Sequence, residues 1–319
     1  MVTSNQTDLL VDGILKGNRL SIARAMTKIE NEEADYVQLL SDLYNKIGRA
    51  YRLGITGPPG SGKSTLTNHL TKKLREEGYK IGIIAVDPTS PFTGGAILGD
   101  RVRMNDLALD KGVFIRSMAT RGNSGGLARQ AGELADVIDA AGYDYVIYET
   151  VGVGQVELDI AEAADTTIVL IVPESGDIIQ SLKSGLMEIA DVFVLNKSDR
   201  PGADRMQKDL EYVLHLREAD HDWHPQVYQT VANQGKGTDD VWNEIKNHRS
   251  FLESERLLTK KREKRLKHRI ETIIREKIET HFWNNNRKKV LQSYLENEKE
   301  NISPYILAER MLEKLLKTL

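Results

Sequence analysis

Residues 57–64 read GPPGSGKS and satisfy GxxxxGK[ST] at every position. An apolar, strand-like run ends at Thr56 just before them, and a helix-forming segment continues to about Glu77. In that context the spacing builds a phosphate-binding loop. Glycines let the backbone curl until its N–H groups converge on phosphate oxygens, and the helix N-terminus adds partial positive charge. Gly57, Pro58, Pro59, Gly60, Ser61, Gly62, Lys63, Ser64 and Thr65 are therefore expected around a nucleotide's phosphates. Lys63 should reach the β- and γ-phosphates, and Ser64 should offer its hydroxyl to Mg2+. A glycine-rich turn that merely caps a helix is the bland alternative, and the full match between strand and helix weighs against it.

The rest of the chain repeats the alternation. Between Tyr51 and about Leu252 the runs RLGIT, KIGIIAV, VFIRS, YDYVIYE, TTIVLIV, DVFVLN and QVYQT are separated by helical segments. Near-continuous apolar strands suit a parallel sheet covered on both faces, with its ligand at the carboxyl ends of the strands. Before Tyr51, residues Leu9, Leu10, Ile14, Leu20, Ile22, Ala23, Met26 and Ile29 fall at helical spacings around Gly17 and Asn18, which predicts two short helices. Beyond Glu253 the strands stop. Leu266, Ile270, Ile273, Ile274 and Ile278 share one helical face there, and a second amphipathic stretch runs from Tyr305 to Leu319. The expected fold is α/β, a P-loop NTPase with a mainly parallel sheet. A helical lead-in covers 1–48, the nucleotide domain 49–252 and a helical extension 253–319.

A base-reading string follows one of these strands. After DVFVL come Asn196, Lys197, Ser198 and Asp199, an NKxD sequence. The Asp199 carboxylate can accept two hydrogen bonds from guanine, whose N1 and exocyclic amino donors adenine lacks, so adenine would leave it desolvated and unpaired. Lys197 is expected over the base and Asn196 between loops. After the next strand, Val231, Ala232 and Asn233 stand where many GTPases place a loop whose backbone reads the guanine oxygen, with Val231 in place of the usual serine. Four residues alone also occur in ordinary turns; together with the phosphate loop they favour GTP and GDP as ligands.

Three acids follow strands or loops that should approach the phosphates: Asp87 in VDPTS, Asp100 in GGAILGDR and Glu149 in YETVGVGQ. Carboxylates near a divalent ion are a recurring need of phosphoryl transfer, although each of these alone also reads as a turn or helix-capping acid. Gly152 completes an ExxG variant of the usual DxxG switch, and Val153 stands where Ras-like enzymes place a water-positioning Gln. Intrinsic hydrolysis should be slow unless Gln155, a carboxylate or a partner positions the water.

The bulk composition narrows the partners and the place of work. Acidic residues number 47 against 44 basic ones, a net charge of -3, so no overall basic excess draws nucleic acid or an acidic membrane. There is no cysteine, which removes disulfides and thiolate sites and suits a reducing cytoplasm. The N-terminus lacks the basic and apolar regions of a signal peptide, and the longest apolar run, Thr166 to Pro173, is too short to span a membrane. The ten Lys/Arg residues between Arg256 and Lys277 read as a solvated amphipathic helix rather than a charged-ligand patch. His215, His221, His224, His248 and His268 lack metal-ligand spacing and are expected on the surface or at helix caps.

These strings together resemble the MeaB/ArgK/MMAA family of GTPases. The resemblance rests on LSIARAMTKIE, GPPGSGKSTL, AVDPTSPFTGGAILGDRVRM, RSMATRG, ETVGVGQVE, PESGDIIQSLKSGLMEIAD and NKSD, within residues 18–245. It implies a G-protein chaperone of an adenosylcobalamin-dependent acyl-CoA mutase, methylmalonyl-CoA mutase above all, gating cofactor delivery and protecting or rescuing the mutase. An adenosyltransferase is a further implied partner, and relatives use a helical C-terminal extension to form a homodimer. The same resemblance gives Ser64, Asp87, Asp100 and Glu149 roles at Mg2+. It also makes 174–183 an additional switch in which Gln180 and Lys183 couple partner contact to hydrolysis. Ser124 replaces a customary Leu, and Glu174 replaces the first Gly of a PGxGD turn. The competing readings are a metallocentre-assembly GTPase, which would carry a metal-binding tract, and a kinase of an amino-acid transport system, which would need an acceptor pocket and base.

Overall fold

The structure is a computed structural model that describes residues 2–87, 105–119, 126–150, 156–173, 185–216, 223–296 and 303–316. Three helices lead: α1 (Val2–Leu15), α2 (Arg19–Glu30) and α3 (Tyr36–Leu43). They are followed by β1 (Tyr51–Thr56), α4 (Lys63–Glu76), β2 (Ile81–Asp87), α5 (Asn105–Ala108), β3 (Val113–Ala119) and α6 (Gly126–Ala140). Next come β4 (Tyr145–Thr150), α7 (Val156–Ala163), β5 (Thr166–Ile171), α8 (Leu186–Ile189), β6 (Val192–Asn196), α9 (Ala203–His215) and β7 (Val227–Thr230). Four helices close the described chain: α10 (Thr238–Ser254), α11 (Leu257–Phe282), α12 (Asn285–Glu296) and α13 (Pro304–Leu316). All seven sequence runs are strands. The lead-in holds three helices rather than the two expected.

The strands form one sheet in the order β3-β2-β4-β1-β5-β6-β7, and among the described residues every pairing is parallel. This is an α/β P-loop NTPase fold. β1, β4 and β5 are buried along their whole length, as a sheet covered on both faces requires. The two-residue period sorts their side chains. Ile84, Val86, Val146 and Tyr148 pack with α1, α2, α3, α6 and α7 through Ile14, Ile22, Met26, Ile29, Leu39, Leu43, Ile138 and Ile160. Ile83, Tyr145, Ile147, Leu53 and Ile55 pack on the other face with Leu66, Leu70 and Leu74 of α4 and Val241, Trp242 and Ile245 of α10. Each fully buried aliphatic side chain contributes roughly 1.5–3 kcal/mol, so the two layers hold the sheet firmly under the site at its carboxyl edge.

The opposite edge is closed by charge. Asp165, wholly buried, accepts from the Arg52 amide at 3.0 Å, from Arg262 at 2.8 Å and from Arg265 at 2.9 Å. Arg262 also donates to the carbonyls of Gly48 and Ala50, Arg265 to those of Glu162 and Ala164, and Lys261 to that of Asp165. Burial alone would raise the Asp165 pKa, but Arg265, Arg262 and Arg52 outweigh it and hold the carboxyl at about 2. Part of the basic run expected to be solvated is therefore structural, fastening the start of α11 to the sheet. Nearby, Asp139 accepts the backbone amides of Gly48, Arg49 and Ala50 and steers the chain into β1. His248 is 1% exposed rather than on the surface. Its Nδ1 lies 2.9 Å from Thr166 Oγ1, its Nε2 3.4 Å from Asp191, and its ring packs on Trp223.

The chain divides into two compact units, Met1–Arg265 and Leu266–Leu319. In the second, Leu266, Ile270, Ile274 and Ile278 form an exposed apolar stripe at four-residue spacing along α11. No helix among the described residues is long and apolar enough to cross a membrane.

Candidate nucleotide site

Strand order decides what meets at the carboxyl edge. β4 lies beside β1 in a register that pairs Ile55 with Glu149, so the acid at the end of β4 arrives next to the loop that leaves β1. Ser64, in the first turn of α4, donates a hydrogen bond to Glu149 Oε1. One residue further along, at the last residues of the two strands, Thr150 Oγ1 donates to Thr56 Oγ1 at 3.0 Å and joins the strand ends. β2 pairs with the other side of β4, Val86 opposite Thr150, which brings the backbone of Asp87 to the same edge.

The loop 57–62 has the backbone that the motif demands. Gly57 sits at φ +139°, and a Cβ there would lie 2.2 Å from the Leu170 carbonyl oxygen. Gly62 sits at φ +96°, and a Cβ there would lie 2.2 Å from Asn196 Nδ2. The N-cap of α4 is Gly62, which has no side chain with which to cap the helix. Lys63 Nζ donates to the carbonyls of Gly57 at 2.8 Å and Pro58 at 2.9 Å, bridging the loop from within. The Ser61 hydroxyl is buried with no hydrogen-bond partner among the described residues. A glycine cap, a buried hydroxyl with no partner among the described residues and a lysine turned into the loop all fit a chain of phosphates. The Ser64 hydroxyl and Glu149 carboxylate are hard oxygen donors of the kind Mg2+ prefers.

Asn196 connects this loop to the base-reading side. Its Nδ2 donates to the Ser61 carbonyl at 2.7 Å, and its Oδ1 accepts from Thr230 Oγ1 and from the Ala232 amide, both at 3.0 Å. Asn196 is 3% exposed and ties the phosphate loop to the end of β7 and the turn that follows it. Lys197 takes a left-handed conformation, φ +57°, and the Ser198 amide is held by the Thr230 carbonyl, which turns 197–199 over the edge of the sheet. Asp199 and Asn233 are exposed, while Val231 and Ala232 are buried. Asp100, Gly152, Gln180 and Lys183 lie outside the described residues, as does the side chain of Asp87.

Sequence reasoning did not single out the braces Thr56, Thr150 and Thr230. The signal was present, since a threonine closes two of the apolar runs and immediately follows a third at the end where a ligand is expected.

A parallel sheet with this loop, this lysine and this asparagine brace defines a P-loop nucleoside triphosphatase, with the NKSD string at the end of β6. The sequence profile of the family described as "Methylmalonyl Co-A mutase-associated GTPase MeaB" matches residues 22–287. The chain belongs to that family and is a GTPase of it. A Pyrococcus abyssi relative named as a GTPase is 45% identical over 97% of each chain. The Escherichia coli protein named GTPase ArgK is 42% identical over 74% of each. The crystal structure of a protein named as a LAO/AO transport system kinase superposes with a TM-score of 0.75, at 30% identity over 98% of each chain. The profile match runs past residue 245 into α11 and α12, farther than the recognisable motifs do.

Proposed function

We propose that this chain is a GTP-driven chaperone of an adenosylcobalamin-dependent acyl-CoA mutase of the methylmalonyl-CoA mutase type. GTP binding and hydrolysis gate the loading or protection of the mutase's cofactor. The observation that carries this reading is membership, over residues 22–287, of a family described by its association with that mutase. An adenosyltransferase is the second partner, and the cysteine-free chain works in the cytoplasm.

In this reading Lys63 exchanges the carbonyls of Gly57 and Pro58 for the β- and γ-phosphates, where its charge offsets the negative charge that develops as the γ-phosphoryl group leaves. The amides of 57–65 hold the phosphate chain. Ser64 and Glu149 hold Mg2+ together with Asp87 and Asp100, and the bound ion supplies charge neutralisation on the β and γ oxygens. Asp199 reads the guanine edge, Lys197 covers the base, Asn196 keeps both loops in register, and Val231, Ala232 and Asn233 border the base. Gly152 and the pair Gln180 and Lys183 form the switches through which the mutase acts. The stripe of Leu266, Ile270, Ile274 and Ile278 joins two copies into a homodimer, because so much exposed apolar surface in line is stable only when covered.

The test is a hydrolysis assay with and without the mutase. Stimulation of at least about tenfold is expected, within the range known for catalytic contacts supplied by a partner. Gln180→Ala and Lys183→Ala should abolish most of it while GDP affinity stays the same. Rates indifferent to every such mutase would refute the chaperone role. The solved relative is named as a kinase, which favours a second reading, phosphoryl transfer to an acceptor. Transfer of labelled γ-phosphate to a group other than water would support that reading instead.

A further inference from the structure

Glu157 lies in the first turn of α7, on the stretch that leaves β4 after Glu149, and is 6% exposed. Its Oε2 is buried with no hydrogen-bond partner among the described residues. α7 packs against β1 and β4, the strands whose ends carry the phosphate loop and Glu149. Among the charged groups described on the elements around it, Lys63 at the start of α4 is the one whose field reaches this carboxylate. Burial raises the Glu157 pKa above the usual carboxylate range, while its own backbone amide and Lys63 pull the other way.

An acid in the first turn of a helix complements the helix dipole, but an exposed acid would serve that purpose equally well. The dipole does not account for a buried acceptor that has no partner among the described residues, which a fold keeps only at a cost. Burial that raises a carboxyl's affinity for protons suits a group that must accept one near neutral pH. The residue after Gly152 is Val153, which has no polar group to hold a water.

We propose that Glu157 is a catalytic carboxylate that orients the attacking water and takes its proton during GTP hydrolysis, a role that rests on the GTPase reading of this site. The water oxygen forms a bond to the γ-phosphorus as the bond from that phosphorus to the β–γ bridging oxygen breaks. The electron pair of the broken bond stays on the β-phosphate of GDP. The water's proton passes to Oε2 and from there to the released phosphate.

The test compares the parent with Glu157→Gln and Glu157→Asp in single-turnover GTP hydrolysis, GDP binding and carbon-13 carboxyl NMR of the nucleotide-free protein. E157Q keeps the shape and loses the proton acceptor, so its rate should fall about a hundredfold with GDP affinity unchanged. E157D should retain part of the rate and the loss of rate toward acid pH, which E157Q should lack. The NMR titration should show one carboxyl above the usual range that is missing in E157Q. An E157Q that hydrolyses at the parent rate, or that loses GDP affinity in step with rate, overturns the proposal. If E157Q does not fold, a full-rate E157D with no such high-titrating carboxyl in the parent overturns it as well. A parent that binds no guanine nucleotide fails at the GTPase reading itself, whereas an active parent with an indifferent E157Q fails only here.

Discussion

Replacing Asn196 by Ala tests whether one side chain couples the two halves of the nucleotide site. The amide makes three hydrogen bonds, to the Ser61 carbonyl and from Thr230 Oγ1 and the Ala232 amide, and is 3% exposed. At about 1 kcal/mol net for each neutral bond, the loss comes to roughly 3 kcal/mol, and more where a stranded group stays dry. Thr230→Val removes one of the three and should cost about 1 kcal/mol. Added together the two changes predict about 4 kcal/mol, but the double variant should lose only about 3, because the Thr230 bond is shared. Urea unfolding of the nucleotide-free protein measures these terms without the added stability that a bound ligand brings. GDP affinity should fall alongside, because Ser61 belongs to the phosphate loop. Gly62→Ala should weaken the same junction from the other side, since its Cβ would fall on Asn196 Nδ2. An N196A within about 0.5 kcal/mol of the parent, or a strictly additive cycle, would refute the coupling.

Asp199→Asn should remove the preference for guanine over adenine nucleotides, which in the parent should be at least about a hundredfold in competition binding. Asp165→Asn strands Arg262 and Arg265 without their counter-charge, while Arg52 keeps Asp136 at 2.6 Å, and should cost about 3–5 kcal/mol in denaturant unfolding. Because folding lowers the Asp165 pKa to about 2 from an ordinary 3.8, its contribution is complete above pH 3.8 and disappears as pH falls through 2, and D165N should lack that acid limb. Ile270→Lys with Ile274→Lys should shift sedimentation from dimer to monomer while GDP binding persists, and a surviving dimer would move the interface off α11. A truncation aimed at the same question should begin after Arg265, because an earlier cut removes the partners of Asp165.

Local strings made much of this structure readable. Each of the seven strands is a short, nearly unbroken apolar run, and burial on both faces leaves a strand little choice of composition. The phosphate-loop motif and the NKSD string stand out because each is written in consecutive residues. What joins distant residues was not. Asp165 and the basic run that secures it are far apart in sequence, so Lys261, Arg262 and Arg265 read as ordinary surface charge. Helix α3 escapes a reading of periodicity because it is 8 residues long and Asp35 makes no capping bond from its side chain. The burial of His248 depends on Thr166 and Asp191, two strand-edge residues that local periodicity does not connect to α10. The wholly parallel sheet depends on β4 entering between β1 and β2, a pairing that no local pattern specifies.

That insertion of β4 has a consequence for the order in which the molecule is made. A ribosome delivers β1 and the phosphate loop early, yet the two ladder neighbours of β1 are β4 and β5. Until Tyr145–Thr150 emerges, the loop-bearing strand has no strand partner among the described residues, and the one described pair that can zip from the growing chain is β2 with β3. GTP therefore cannot template the early fold, because its phosphate cradle has no floor until the middle of the chain has been translated. In the meantime both edges of β1 and the inner edge of β2 stand open to pairing with other chains, so aggregation during synthesis is set by how quickly β4 arrives.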